Sequence, residues 1–130
     1  MICLESSFLI DVLKGKKEAL EKLKEIREEE TFTTSICEFE VMVGAYIKDY
    51  SEKNLRKAVS LLNSIPVYNF DSNSALKASQ IFADLIKKGN EIENADCMIA
   101  GVSLSNDCNI IITKDVEHFK RIKELKVIDY

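Results

Sequence analysis

The chain has 130 residues, a formal net charge of −4, 46% hydrophobic and 31% charged residues, one proline and four glycines. This length suits one domain, 1–130, that buries a core without disulfides, and the composition excludes a disordered or collagen-like chain. The acidic balance argues against nucleic-acid binding by the whole surface, so a nucleic-acid partner would have to meet a local patch.

Strand and helix patterns alternate along the first half of the chain. A short apolar run ends at Glu5 and predicts a strand, after which Ser6 or Ser7 can cap a helix that Gly15 ends. β-Branched residues then predict a second strand before a helix that carries Glu40. The predicted elements of this half are a strand at 1–4, a helix ending near 13, a helix at 16–29, a strand at 31–36, a helix through 39–46 and a helix at 55–62.

The second half continues the alternation. Val67 to Phe70 predicts a strand that opens onto Asp71, and a long amphipathic helix follows until Gly89. The remaining predicted elements are a helix between 94 and 105 with Asp96 in its first turn, a buried strand at 110–112, a short helix from 115 through 122 and a final strand at 127–130. Parallel strands need helical crossovers, so this order predicts an α/β fold with a parallel sheet covered on both faces.

Four acidic residues suggest a divalent-metal site. Glu5 and Asp115 directly follow predicted strands, while Glu40 and Asp96 follow a strand or loop by a few residues. In parallel sheets ligands gather outside the carboxyl ends of the strands, and hard oxygen ligands suit Mg²⁺ or Mn²⁺. Taken singly, each residue is more often a solvated turn residue or helix cap. Together they predict one site for metal-assisted hydrolysis.

Other kinds of site lack their sequence signals. The only histidine, His118, has no G-x-S-x-G element beside it and is expected to be a surface or helix-end residue. The glycines are isolated, which argues against a phosphate-binding loop. The cysteines show no C-x-x-C spacing and adjoin apolar residues, so reduced core thiols are expected at Cys3, Cys37, Cys97 and Cys108.

The first residues of the chain show no targeting signal. The stretch MICLESSFLIDVLKGKK has no preceding basic region and no small-residue cleavage site, and Glu5 and Asp11 interrupt its apolar residues. Nowhere do about 18 apolar residues run without a charge. We therefore expect no membrane span and a cytoplasmic protein.

Three segments resemble the signature blocks of PIN-domain ribonucleases, specifically the VapC-like toxins: CLESSFLIDVLKG, ICEFEVMVGA and NADCMIAGVSLSNDCNIIITKDVEHFKRIKEL. The resemblance spans nearly the whole chain. It implies a PIN-like three-layer α/β/α fold with a central parallel sheet of four or five strands. It also implies a metal-dependent endoribonuclease that hydrolyses RNA phosphodiester bonds as the toxin of a toxin–antitoxin pair.

The resemblance assigns site residues one by one. The four acidic positions of the family fall on Glu5, Glu40, Asp96 and Asp115, which are the implied ligands for Mg²⁺ or Mn²⁺, and the site-orienting hydroxyl falls on Thr113. The family usually has Asp at the first position, whereas this chain has Glu5. One added methylene moves the carboxylate by about a bond length, which is enough to alter metal ligation.

Two alternative functions stay open beside the nuclease. One is a catalytically weak PIN-like module that acts by binding RNA or a protein partner. The other is a phosphoacceptor receiver domain, which shares the size and sheet class but requires an acidic pair after the first strand that this chain lacks. Three further carboxylates near the motifs, on Asp11, Glu38 and Glu93, are as well explained by solvated or supporting roles.

The resemblance also implies partners: an RNA substrate, a cognate antitoxin bound in an apolar groove beside the acidic pocket, and a second copy of the chain in a homodimer. Residues proposed to guide the phosphate backbone are Lys14, Lys16, Lys17, Lys114, Lys120, Arg121 and Lys123. Residues proposed to offer apolar surface near the first two motifs are Phe8, Phe39, Met42, Tyr46 and Tyr50.

Overall fold

A computed structural model of the chain describes residues 1–48 and 51–130. Within these residues the chain forms five strands and seven helices in alternation, which confirms the predicted α/β class. The elements are β1 (Ile2–Leu4), α1 (Ser6–Leu13), α2 (Lys17–Glu25), β2 (Thr31–Thr34), α3 (Ser35–Lys48), α4 (Glu52–Asn63), β3 (Val67–Tyr68), α5 (Ser72–Lys87), α6 (Asn94–Ser105), β4 (Ile110–Ile112), α7 (Val116–Phe119) and β5 (Lys126–Ile128).

The five described strands form one parallel sheet in the order β3-β2-β1-β4-β5. The chain runs outward from β1 through β2 to β3, and then returns to place β4 on the other side of β1. The strand order therefore reverses between β1 and β4. In open parallel sheets this reversal opens a crevice at the carboxyl ends of the strands, where ligands bind.

Each face of the sheet carries its own apolar core. Ile2 and Leu4 of β1 contribute to a cluster with residues of α1 to α4, whereas Cys3 contributes to a cluster with residues of α5 to α7. Successive side chains of a strand point to opposite faces, so the run Ile2–Leu4 is buried on both sides. The helices thus form the two outer layers of an α/β/α arrangement.

The second strand ends earlier than the sequence pattern predicts. Thr34 is the last residue of β2, and its Oγ1 accepts a 3.1 Å hydrogen bond from the backbone N–H of Cys37. This bond caps the first turn of α3, which begins at Ser35. Ile36, predicted in the strand, is therefore helical. This earlier start places Cys37 and Glu40 three residues apart on one helix, so their side chains lie on the same face.

Other boundaries also differ from prediction. The helix predicted at 16–29 ends at Glu25, and the strand predicted at 67–70 is limited to Val67–Tyr68. The final strand is Lys126–Ile128, one residue earlier than predicted at its start. The cap of α1 is the side chain of Glu5, which accepts from the backbone of Ser7, and the predicted Ser6 or Ser7 cap was wrong.

The cysteine prediction is confirmed, since all four cysteines are buried and unpaired. No helix among the described residues is long and apolar enough to cross a membrane.

Candidate active site

Glu5 lies at the carboxyl end of β1 and is only 2% exposed. Its Oε2 accepts hydrogen bonds from the backbone N–H of Ser7 at 3.0 Å and from Oγ1 of Thr113 at 2.8 Å. The hydroxyl group of Ser7 donates to the same oxygen. Hydrogen bonds to a carboxylate stabilise its charged form and fix its orientation. Glu5 is therefore held in place although it is removed from solvent.

Thr113 follows β4, the strand next to β1, and is fully buried. Besides donating to Glu5, its Oγ1 accepts a 2.9 Å hydrogen bond from the backbone N–H of Asp115. Asp115 is exposed and is the N-cap residue of α7. One hydroxyl group thus connects the ends of the two strands that border the crevice.

Glu40 reaches the same place from α3. Oγ of Ser6 lies 3.1 Å from Oε1 of Glu40 and also forms a hydrogen bond with Oε1 of Glu5. A hydroxyl group has one proton, so Ser6 donates to only one of these carboxylates at a time. Ligand atoms of Glu5, Glu40 and Cys37 all lie within 4.8 Å of one another.

The carboxyl group of Glu40 resists ionisation in this setting. Burial is the largest cause that raises its pKa, and the hydrogen bond from Ser6 opposes the increase. The negative charges of Glu5, Asp96 and Glu93 raise the pKa further. Glu40 is therefore close enough to Glu5 and Asp96 to be repelled by both.

Asp96 lies in the first turn of α6 and is 6% exposed. Burial raises its pKa to about 6, against an opposing hydrogen bond from His118. Repulsion from Glu5 and Asp115 adds to the increase. The pKa of Asp96 thus responds to the charges of Glu5 and Asp115, and that of Glu40 to Glu5 and Asp96. The ligand atoms that meet within 4.8 Å belong to Glu5, Glu40 and Cys37, whereas Asp96 and Asp115 are not part of that group and border it in one negatively charged region.

Little positive charge balances this region. In residues 1–48 and 51–130, no lysine or arginine forms an ion pair with Glu5, Glu40 or Asp96. Clustered carboxylate oxygens are the donor set that hard divalent cations such as Mg²⁺ and Mn²⁺ prefer. The residues present therefore fit such an ion.

Cys37 is a neighbour of this region that the sequence did not assign to a site. Burial, with the nearby charges of Glu5 and Glu40, raises the pKa of its thiol to about 12. The thiol is therefore protonated at neutral pH, and thiols ligate metals as thiolates. Cys37 therefore lies beside Glu5 and Glu40 as a neutral group. Its position three residues before Glu40 on one helix was the available signal.

His118 is a second residue that sequence reasoning left outside the site. It lies near the end of the short helix α7, as expected, but its Nδ1 lies 2.9 Å from Oδ2 of Asp96 and its side chain is 41% exposed. The sequence pattern that could have indicated this is the spacing of three residues between Asp115 and His118, because side chains three residues apart lie on the same face of a helix.

Asp11 is a buried residue of α1 and does not face solvent. It is 4% exposed and accepts hydrogen bonds from the Tyr130 hydroxyl at 2.9 Å and from Nζ of Lys114 at 3.4 Å. Lys16 pairs with it at 3.1 Å. Burial opposes ionisation of Asp11, but the hydrogen bonds from Lys16, Tyr130 and Lys114 outweigh it and hold the pKa below its ordinary value. Asp11 is therefore not the solvated carboxylate that was one of its two expected explanations, and a supporting role stays a prediction.

The proposed phosphate-guiding residues have diverse surroundings. Lys16 and Lys114 are partly neutralised by Asp11, and Arg121 donates to the backbone carbonyl of Glu91 at 2.6 Å. Lys14 lies so close to Lys48 that this neighbour lowers its pKa. Guidance of phosphates by these residues stays a prediction.

The apolar residues expected near the first two motifs divide into two groups. Phe8 is fully buried, and so its proposed contribution to an exposed surface was wrong; its ring packs edge-on against Tyr130 with centroids 5.0 Å apart. Met42 is half-buried, while Phe39 is 68% exposed and Tyr46 is also exposed. Tyr50 lies outside the described residues.

Known proteins resemble this chain over nearly its whole length. It is 26% identical over 127 residues to the tRNA(fMet)-specific endonuclease VapC of Salmonella typhimurium, covering 98% of this chain and 96% of that protein. The VapC of the same name from Shigella flexneri matches with the same identity and coverage.

Solved structures show the same fold. A chain of DNA-bound VapBC from Salmonella typhimurium matches with a TM-score of 0.87 and 26% identity, over 98% of this chain and 96% of that chain. A chain of VapBC2 from Rickettsia felis, bound to a promoter DNA fragment, matches with a TM-score of 0.89 and 21% identity, over 100% and 99% of the two chains. The family model described as the PIN domain matches residues 2–125. The chain therefore belongs to the PIN-domain family.

Proposed function

We propose that this chain is a metal-dependent endoribonuclease that hydrolyses RNA phosphodiester bonds in the cytoplasm as the toxin of a toxin–antitoxin pair. The observation that carries the proposal is the approach of Glu5 and Glu40, whose ligand atoms lie within 4.8 Å of each other beside the reversal of strand order, with the negative charge of Asp96 near both. Membership in the PIN-domain family and the resemblance to VapC endonucleases support the same reaction.

The four carboxylates would hold Mg²⁺ or Mn²⁺ as ligands or through bound water. When bound, such an ion supplies a water of lowered pKa and stabilises the charge that develops on a phosphodiester. The protein would contribute by fixing the orientation of the ligand carboxylates before the ion binds. Thr113 and Ser7 orient Glu5, and the Ser6 hydroxyl, between Glu5 and Glu40, donates to one of these two carboxylates at a time.

The substrate is proposed to be single-stranded or looped RNA, because unpaired nucleotides can be splayed out into a crevice, as paired ones cannot. The relatives named as tRNA(fMet)-specific endonucleases make tRNA the first RNA to test. The lysines near the first and last acidic motifs would contact its phosphates. Binding that shows no dependence on salt would contradict this part of the proposal.

A cleavage assay tests the reaction. Purified protein with Mg²⁺ or Mn²⁺ should cut total tRNA, and excess chelator or the Asp96→Asn variant should abolish cutting, since either removes the cation or a ligand charge. Asp84→Asn is the matched control, because it removes the same charge from an exposed residue of α5 that pairs with Lys88 at 2.8 Å. Equal cleavage by Asp96→Asn would mean that the activity belongs to another protein.

The same assay separates the nuclease from a module that only binds. RNA retained by the native protein without cleavage, over the full range of metals, would favour the binding module. Glu5→Asp is informative here, because the family has Asp at this position. If the added methylene of Glu5 is a handicap, the variant should retain or raise the cleavage rate.

An antitoxin is proposed to occupy a groove beside the pocket. A cavity of about 300 Å³ between α1, α3 and α4 has an apolar lining that includes Ile10, Leu13 and Val41, the residue after Glu40. Lys14, Lys48 and Lys57 also line it. An amphipathic helix would bury its apolar side there, with acidic residues facing the lysines and a basic residue reaching the carboxylates.

Co-expression with the product of an adjoining small gene tests the groove. The complex should co-purify, and cleavage by the complex should be inhibited. Lys48→Glu should weaken the complex by placing a negative charge at the groove. Lys87→Glu, at an exposed position of α5 outside the groove, should leave the complex intact. A complex that cleaves RNA at the native rate would refute inhibition by occlusion of the pocket.

A homodimer is proposed from exposed apolar side chains on α3. Phe39 and Ile47 are 68% and 79% exposed on the same helix, and a dimer interface would bury both side chains. Sedimentation at micromolar concentration should give a dimer, and Phe39→Glu combined with Ile47→Glu should give a folded monomer. A native monomer under these conditions would refute the dimer.

A further inference from the structure

The carboxylates of the pocket differ in what holds them. Glu5 accepts hydrogen bonds from Ser6 and Ser7, in the first turn of α1, and from Thr113. Asp96 is almost as buried, yet within residues 1–48 and 51–130 its side-chain partner is the ring of His118, at 2.9 Å. Asp96 and His118 come from α6 and α7, so this contact joins two elements of the site.

The contact between His118 and Asp96 indicates which nitrogen of the imidazole ring carries a hydrogen. An ionised carboxylate only accepts hydrogen bonds, so Nδ1 of His118 must carry a proton to bond Oδ2 of Asp96. That bond fixes one oxygen of Asp96. A carboxylate with one oxygen fixed loses rotational freedom about its side-chain torsions, and its second oxygen is presented in one direction.

The ring itself is held by the short helix that carries it. The backbone N–H of His118 donates to the carbonyl of Asp115 at 3.1 Å, and the next residue, Phe119, is fully buried in the core. Phe119 therefore anchors α7 against the sheet, and His118 projects from this anchored turn toward Asp96. The arrangement requires the tertiary packing of α7 against α6.

We propose that His118 is a positioning residue for Asp96: by donating from Nδ1 it orients the Asp96 carboxylate for cation binding. The proposal rests on the proposed function, because it gives the oriented carboxylate a ligand role. Partners that orient metal ligands change metal affinity by about 10–100-fold when they are removed. His118 is not proposed to touch the substrate.

The test measures Mn²⁺ binding by the electron paramagnetic resonance signal of free Mn²⁺. His118→Ala should weaken binding by about tenfold or more. His118→Asn should restore it to within about threefold, because the Asn amide nitrogen sits at the δ position, as Nδ1 does. His118→Gln, whose nitrogen lies one atom further out, should resemble the alanine variant. In an Asp96→Asn background, His118→Ala should cause no additional loss.

Several results would overturn the proposal. Native affinity in folded His118→Ala would do so, as would an Asn variant as weak as the alanine variant with unchanged thermal stability. Nuclear magnetic resonance of the ring nitrogens in metal-free protein is an independent check, and a neutral ring protonated only at Nε2 would refute the contact.

The outcomes also separate the two proposals. A native protein that binds no Mn²⁺ would refute the metal site and the role of His118 together. Native binding that persists unchanged in His118→Ala would refute the role of His118 alone.

Discussion

The hydroxyl group of Thr113 donates a 2.8 Å hydrogen bond to Oε2 of Glu5 and so joins the residues that follow β4 and β1. These strands are neighbours at the point where the strand order reverses. The same hydroxyl accepts the backbone N–H of Asp115 through a lone pair, which leaves its proton free to donate to Glu5. Thr113 therefore orients one proposed ligand and positions the loop that carries another.

Thr113→Val tests this relationship. The variant keeps the shape of the side chain but leaves the backbone N–H of Asp115 without its partner and the buried carboxylate of Glu5 with one donor fewer, which should cost about 1–3 kcal/mol of stability. Cleavage should fall by about tenfold or more. Single-turnover rates and urea unfolding measure both effects. Thr113→Ser should recover most of the rate, and a serine variant as slow as the valine variant would contradict the role of the hydroxyl.

The pH dependence of stability should reflect Asp96 in chelator-treated protein. Its folded-state pKa of about 6 lies above its ordinary value of 3.8, so the folded state binds the proton more tightly. This contribution is complete below the unfolded pKa and is lost as pH rises through about 6. Glu40 has a raised pKa and acts in the same direction. The melting temperature should therefore be higher at pH 5.5 than at pH 7.5, by roughly 5 °C.

Asp96→Asn is the control for this pH effect. It removes the titrating group, so most of the difference in melting temperature should disappear. Asp11 does not interfere, because its pKa is lowered and its contribution is lost only at more acidic pH. A native protein with equal stability at both pH values would contradict the raised pKa of Asp96, whose largest cause is burial.

Gly101 packs α6 tightly against α5. A Cβ atom at this position would lie 2.6 Å from the carbonyl oxygen of Ser74 and 2.8 Å from Cβ of Ala78. Gly101→Ala should therefore destabilise the fold by about 1–3 kcal/mol. Gly44→Ala is the matched control, because Gly44 also lies inside a helix but has no neighbour within 4 Å of the added atom. It should be neutral or stabilising by up to about 1 kcal/mol in urea unfolding.

Tyr130, which follows β5, contacts Asp11 of α1. Tyr130→Phe removes the 2.9 Å hydrogen bond to Asp11 but keeps the ring that packs against Phe8. Loss of a hydrogen bond to a charged group should cost about 1–2 kcal/mol. Tyr68→Phe is the control, because its hydroxyl group is exposed and, in the part of the chain that the structure describes, its hydrogen-bond partner is the sulfur of Met1, at 3.7 Å. Equal thermal stability of native protein and Tyr130→Phe would contradict the contact.

Much of the fold could be predicted from local patterns. Apolar runs such as Ile110–Ile112 are too short for helices and alternate with amphipathic segments, so a parallel sheet with two helical layers follows from burial alone. Boundaries were less predictable. Ile36 has the β-branched side chain of a strand residue, yet it is helical because Thr34 caps the following turn.

The sequence by itself determined the α/β class, the buried free cysteines and the positions of four carboxylates near strand and helix ends. Tertiary structure decided which groups meet those carboxylates. Neither Cys37 nor His118 carries a local signal as strong as a strand end, because their roles depend on where α3 begins and on how α7 packs beside α6. Hydrogen bonds act over about 3 Å, whereas sequence patterns report only which face of an element is buried. The contacts of Thr113 with Glu5 and of His118 with Asp96 arise only when the packed sheet brings distant residues within that range.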